Sequence, residues 1–232
     1  SDHCRRLIAK AEECERRILV GHTHQFRPHF RRAAQMIRDG AIGKVEMIFD
    51  DAATFYDFAN RPGWFLDPVM AGGGALFNLV PHLIDHLLFL NDSPVVEVSG
   101  KLARLYPGLE IDTECTALIR FANGSAAAVT ATVGNRLLEP NRLQCRVFGS
   151  EGSLLLNPFV TEIVYCHGNR REIIDCSGQS DPIDLEWLEL YDSIVNGTKP
   201  HADGVYGRQV VTLLEAIKQS SDTAQSIRIE DI

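Results

Sequence analysis

The order of elements predicts an α+β fold, in which a mostly antiparallel sheet carries its helices gathered on one face. Three observations lead to it. The long middle stretch from Val95 to Cys176 reads as a run of short strands, alternating or rich in β-branched residues. Within it, Asn123-Gly124 signals a hairpin, because both central positions of a type I′ turn need positive φ. Helical patterns stand before and after this run, and no internal repeat or low-complexity linker interrupts it.

Taken in order, residues 3–16 present Cys4, Leu7, Ile8, Ala11 and Cys14 at helical spacing. Ile18 to Val20 reads as a short strand ending at Gly21, where the loop HTHQFRPHF begins. Pro28 suits the first turn of a second helix over about 28–39, and Gly40 is placed to end it. Val45–Phe55 alternates as a strand. Residues 74–90 are helical and apolar nearly all round, which predicts burial on most sides. Pro81 lacks an amide hydrogen and crowds the preceding turn, so a kink just before His82 is expected. The strands follow at Val95–Tyr106, Glu114–Phe121, Ser125–Gly134, Arg142–Phe148 and Ser153–Leu156. Val160–Cys166 and Glu172–Cys176 flank a Gly-Asn turn, and helices over about 184–196 and 207–220 close the chain.

The strand Ser125–Val133 has small side chains on both faces. Ala127, Val129, Ala131 and Val133 lie on one, with Ala126, Ala128, Thr130 and Thr132 on the other. Such a strand suits a sheet packed on helices on one side and on a second subunit on the other. It equally suits a central strand covered within one chain.

The bulk composition narrows the function classes. At 232 residues the chain can bury a substantial core, and 45% hydrophobic with 23% charged residues is ordinary for a soluble globular protein. No apolar run approaches the ~20 residues of a membrane span. The charged, amphipathic N-terminus is unlike a signal peptide. A net charge of -8 argues against general nucleic-acid binding. Basic groups at RPHFRR (27–32) and NRR (169–171) read as solvated faces, so small polar or sugar-like ligands remain. Six cysteines without a C-x-x-C pair suggest reduced thiols and a cytoplasmic protein. Cys166 and Cys176 could approach each other if 160–176 forms a hairpin.

The segment AGGGALFNLVPHLIDH (71–86) concentrates the chemistry. On one helix, Asn78, His82, and Asp85 or His86 would lie along a single face. Three readings compete. His82 and His86 have the i, i+4 spacing of a zinc helix with Asp85 assisting, but Leu83 stands where the metalloprotease motif carries its base, and no third ligand is obvious. Alternatively the histidines are satisfied structural groups and Asn78 caps backbone near the kink. In the third reading the stripe is an acid–base site at a pocket floor. An imidazole titrating near neutral pH takes the proton of a substrate hydroxyl, Asp85 orients it, and Gly72, Gly73 and Gly74 let backbone approach a ligand. No G-x-G-x-x-G occurs in the chain, so these glycines are not a dinucleotide fingerprint.

The stretch GWFLDPVMAGGGALFNLVPHLIDHLL (63–88) resembles the signature of the glucose–fructose oxidoreductase/inositol dehydrogenase (Gfo/Idh/MocA-like) family. There a Gly-Gly run precedes Asp, three residues, His, two residues and Asp. Gly73-Gly74, His82 and Asp85 match, and Asn78 stands at the first Asp. ILVGHTHQFRPHFRRAAQMIRDGAIGKV (18–45) is similar to the family's crossover from its nucleotide domain into its substrate domain. GRQVVTLLEAIKQSSDTAQSIRIED (207–231) is similar to its close.

The resemblance implies an open-faced sheet domain carrying the substrate pocket and a homo-oligomer interface, preceded by a Rossmann domain for NAD or NADP. Residues 1–20 would be the last helix and strand of that domain, and 21–232 the substrate-binding and oligomerisation domain. The glycine-rich loop and the Glu-Lys-Pro element are not found, and Lys199-Pro200 is not equivalent to the latter. The expectation is a truncated oxidoreductase that binds no nicotinamide cofactor tightly by itself. Its substrate would be a sugar-like or cyclic polyol. The resemblance makes His82 and Asn78 the catalytic candidates, with Asp85, Gly73, Gly74, Trp64 and Gln25 toward the substrate. Asn78 cannot titrate, and Gln25 lies where many relatives carry Arg, so a non-catalytic binding module is the alternative.

Overall fold

The computed structural model describes residues 1–134, 141–178 and 180–229. Helix α1 (Asp2–Glu13) lies on the surface and buries none of its residues fully. After it, Ile18–Val20 forms no strand, contrary to the sequence pattern. The run has no strand to pair with. Its apolar side chains go instead to the last long helix, where Val20 packs on Gly207 and Ile18 on Gly204. The Val20 N–H donates to Ala202 O at 2.8 Å. A 3-10 turn, Thr23–Phe26, then leads into α2 (Pro28–Arg38), with Pro28 in its first turn and Gly40 beyond its end at φ +79°.

Strand β1 (Val45–Phe55) enters the sheet, followed by the short α3 (Gly63–Leu66). The stretch expected as one kinked helix is two: α4 (Ala75–Asn78) and α5 (Val80–Leu90), broken at Leu79. Pro81 acts as a first-turn residue of α5 rather than as a kink inside a continuous helix, because its ring excludes a preceding helical turn. Asn78 and His82 therefore sit on different helices, and only His82, Asp85 and His86 share one.

The strands continue as β2 (Val95–Ala103), β3 (Glu114–Phe121), β4 (Ala126–Gly134), β5 (Arg142–Gly149), β6 (Gly152–Leu156), β7 (Glu162–His167) and β8 (Arg170–Asp175). Helices α6 (Pro182–Val195) and α7 (Gly204–Thr223) and a two-residue β9 (Ile227–Arg228) follow. The sheet has nine strands in the order β8-β7-β6-β5-β1-β4-β3-β2-β9. Every pairing is antiparallel except β1 with β4. The expected α+β class is the observed one.

The hairpin expected at Asn123-Gly124 forms between β3 and β4, with a different turn type. At Asn123-Gly124 only the glycine takes positive φ (+89°), and Phe121 N–H closes a wider loop on Ser125 O at 3.0 Å, so the turn is not type I′. The β7–β8 hairpin does form, but it separates the two cysteines. Cys166 faces Arg171 near the turn while Cys176 lies past the far end of β8. That spacing exceeds the reach of a disulfide, and both thiols are free.

Alternation sorts the sheet into two faces. Ile48, Ala52, Ala117, Ile119, Ala127, Val129, Ala131 and Val147 point inward beneath α2, α4, α5 and α7 and form the core. Outward lie Phe49, Leu118 and Phe148, which remain exposed, together with Ala126, Ala128 and Thr130. Asp50 breaks the apolar inward row of β1 and is fully buried.

Candidate active site

α5 crosses the inner face above Asp50 with Asp85 and His86 buried and His82 half-buried. The loop ahead of α2 brings His22, His24 and Gln25 against it. Four imidazoles thus gather around one helix. The rings of His24 and His82 lie 5.0 Å apart between centroids, and those of His24 and His86 5.1 Å.

Two separate hydrogen-bonded groups share this region. In the first, His86 Nδ1 lies 2.7 Å from Asp50 Oδ2, and His86 Nε2 lies 2.9 Å from His24 Nδ1. Asp50 stands opposite Cys145 in the β1–β5 register, and the Cys145 thiol faces the same carboxylate. In the second, Asp85 accepts from Gln25 Nε2 and, at 2.8 Å, from the Tyr206 hydroxyl of α7. His22 Nδ1 stands 3.8 Å from the same oxygen. Asp85 makes no bond to His82, whose Nδ1 is buried without a partner. The expectation that Asp85 orients His82 directly is therefore corrected: burial turns it toward the loop and α7.

Electrostatics follow from burial. Desolvation, with repulsion from neighbouring imidazoles, lowers His22 to about 4 and His24 to about 2, and pushes His82 down in the same way. Desolvation lifts Asp85 to about 6 and also raises Asp50, in both cases opposed by His86. His22, His24 and His82 are thus held as neutral imidazoles, in surroundings that disfavour positive charge.

The other sequence candidates fall around this centre. Asn78 is exposed at the end of α4, and its Oδ1 accepts from the Tyr56 hydroxyl, leaving its amide N–H groups to donate. Trp64 is 57% exposed on α3, edge-on to Phe65. Gly73 lines a cavity of about 460 Å³ with Phe77, Lys101, Arg104 and Asp112, and His82 does not line it. A Cβ on Gly74 would fall 1.9 Å from Asp112 O, so that glycine serves a backbone contact. Gln25 is buried on Asp85, with one edge on a cavity of about 420 Å³ beside Arg31, Glu189 and His201. For the zinc-helix reading, His82 is not among the converging donors, although both it and His86 lie near His24. Among the described residues, the donor atoms that converge within 4.8 Å are those of Asp50, His86 and Cys145.

Sequence reasoning missed Asp50, His24 and Tyr206. A carboxylate at an inward position of an alternating strand was the available signal for Asp50 (Ile48, Asp50, Ala52).

Comparison with known proteins places this architecture. Residues 30–155, more than half of the chain, match the GFO/IDH/MocA C-terminal domain. A 130-residue stretch, 56% of the chain, is 34% identical to the 1-carboxy-3-chloro-3,4-dihydroxycyclohexa-1,5-diene dehydrogenase of Comamonas testosteroni, covering 32% of that protein. Over 99% of the chain, identity is 21% to the D-xylose 1-dehydrogenase [NADP(+)] of Haloarcula marismortui, covering 65% of it. The fold superposes with a TM-score of 0.88 on the aldose-aldose oxidoreductase of Caulobacter crescentus, complexed with glycerol. That match has 20% identity and covers 97% of this chain and 68% of the other. The matches thus span 32% and 65% of the lengths of these two curated relatives. With more than half of its length matching the family's C-terminal domain, the chain belongs to the Gfo/Idh/MocA family.

Proposed function

We propose that the chain is the substrate-binding and oligomerisation part of an NAD(P)-dependent oxidoreductase acting on a sugar-like or cyclic polyol. Residues 1–20 would belong to its nucleotide-binding half. The observation that carries this reading is His82, a half-buried imidazole on α5 that burial keeps neutral, with the ring of His24 5.0 Å away. His82 accepts the proton of the substrate hydroxyl as the alcohol is oxidised, burial keeping the imidazole in the neutral form that this step requires. Asn78, steadied by Tyr56, donates to a neighbouring hydroxyl. Asp85 and Gln25 hold the loop against α5. Trp64 and the glycine run contribute the wall.

The relatives named above are dehydrogenases or an oxidoreductase of diols and sugars, which favours this substrate class. The cofactor, NAD or NADP, is inferred from the family and from a relative named with NADP(+). The residues of this chain do not fit it: no glycine-rich loop occurs, and what they supply is substrate binding and proton transfer. NAD(P)-dependent turnover by the 232-residue chain alone would contradict this division of labour.

The test joins the chain to a nucleotide-binding half and replaces His82 by Ala. Turnover should fall roughly 10²- to 10⁴-fold with the fold retained. Asn78 in place of a carboxylate favours a second reading, a non-catalytic binding module. That reading stands if the joined protein is inactive both before and after the substitution.

A further inference from the structure

In the buried line of Asp50, His86 and His24, the first two have no part in that assignment, and His24 enters it only as a ring beside His82. Its inner end is a carboxylate with no exposure, its middle an imidazole 1% exposed, and its outer end a half-buried ring. Nε2 of His24 has no partner and is not enclosed, in contrast to the buried Nδ1 of His82. We propose that Asp50, His86 and His24 form a proton relay, in which a proton accepted at Nε2 of His24 comes to rest on His86 against Asp50. The proposal rests on reading the histidine cluster at α5 as an acid–base site.

Tautomers dictate the direction. His86 Nδ1 faces a carboxylate, which has no proton to give when ionised, so Nδ1 must carry the hydrogen. With His86 neutral, its Nε2 is a lone pair and His24 Nδ1 must donate to it. That leaves His24 Nε2 a bare acceptor that is not enclosed. When it takes a proton, its own Nδ1 proton passes across the 2.9 Å bond to His86 Nε2. One N–H forms at His24 Nε2, one breaks at His24 Nδ1, and one forms at His86 Nε2. His24 ends neutral in its other tautomer, and His86 becomes an imidazolium paired with Asp50.

The transfer resolves an electrostatic conflict. His24 is a poor place for positive charge, being surrounded by His82, His86, His29 and Arg27. His86 faces Asp50 on β1 at 2.7 Å, so the relocated charge is neutralised where it lands. The remaining groups around the relay are Asp51 and Cys145 near Asp50, and Asp85 one position before His86. Asp51 is held on the outer face by Arg142 and Arg146, at 3.0 and 3.2 Å. Asp85 accepts from Gln25 and Tyr206 on Oδ1, while its Oδ2 is buried without a partner. His22 is a further imidazole that interacts with His86.

Long-range ¹H–¹⁵N correlation spectra of the histidine-labelled chain, taken through a pH series, test this without any turnover. At high pH both His86 and His24 should carry their proton on Nδ1. On acidification His86 should become doubly protonated while His24 switches to the Nε2–H tautomer in the same step. Asp50→Asn should abolish the His86 protonation step. The wild-type spectra decide alone if that variant does not fold. Direct formation of a His24 imidazolium, or a His86 step unmoved in Asp50→Asn, overturns the relay. So does one zinc per chain that is lost in Cys145→Ser. An intact tautomer switch in a protein inactive after joining would leave the relay standing and remove the enzymatic reading.

Discussion

At the scale of single residues, the cluster couples stability to acidity. Burial first, then repulsion from neighbouring charged groups, lowers His22 and His29 to about 4 and His24 to about 2. The unfolded chain therefore binds protons that the native state refuses, and stability present above about pH 6.5 is lost as pH falls through that value toward 4. Asp85, raised to about 6, works in the opposite direction, because its native form takes a proton between about 6 and its free value. Three lowered imidazoles outweigh the raised carboxylates, so each net proton removes roughly 1.4 kcal/mol per pH unit. Chemical denaturation at pH 7, 6 and 5 should show a falling midpoint, and a midpoint constant or rising toward pH 5 contradicts the burial. The sequence pattern made His82, Asn78 and Asp85 legible because they share one short segment. Asp50 and His24 were not, since their meaning depends on a strand and a loop brought beneath the same helix. Nor could it show that Asp85 faces Gln25 and Tyr206, because two neighbours on a helix face do not fix where a carboxylate points.

Elements succeed or fail as readings according to where their partners lie. Strands β3–β5 are visible as alternation because one face is buried and the other is not. Ile18–Val20 has strand composition but no neighbour, and helix packing captures it. The break between α4 and α5 was legible only as a proline effect, because its other cause is remote: Asp112, far along the chain, clamps the start of α4. Its Oδ1 accepts from Gly74 N–H at 2.8 Å and its Oδ2 from Leu76 N–H at 2.7 Å. Its carbonyl accepts from Ala75 N–H at 2.9 Å. Gly74→Ala would press a Cβ into that carbonyl and cost about 2–3 kcal/mol by overpacking. A drop in Tm of roughly 5–10 °C should follow. Gly72→Ala, at φ +78° with open space around it, should cost only about 1 kcal/mol, through backbone strain. Equal melting curves for the two variants would show that the clamp is unimportant.

The whole molecule leaves two apolar surfaces uncovered. The outer sheet face carries Phe49, Leu118 and Phe148 over the small Ala126 and Ala128, and Phe49 meets Phe148 edge-on at 5.8 Å. Along α6, Ile183, Trp187, Tyr191 and Ile194 form an exposed stripe at helical spacing. Contiguous surfaces of this kind mark contacts. The α6 helix is tied to the crossover segment, Glu186 to Thr23 at 2.8 Å and the Ser193 carbonyl to Arg17 at 3.2 Å. On the function proposed above, that places its stripe beside the nucleotide-binding half. The sheet is broad and fringed by charge on both sides, Arg120 with Glu97 and Arg146 with Asp51. Such a face suits a symmetric contact with a second copy, in which two sheets pack about 10 Å apart. Leu118→Glu places a charge at its centre while, as a surface change, altering stability by no more than about 0.5 kcal/mol. Light scattering after gel filtration should then give an oligomer for the unaltered chain and a monomer for Leu118→Glu, with Trp187→Ser unchanged in mass. A mass that falls only in Trp187→Ser would move the self-association to α6, and a monomer throughout would remove the sheet face as an interface.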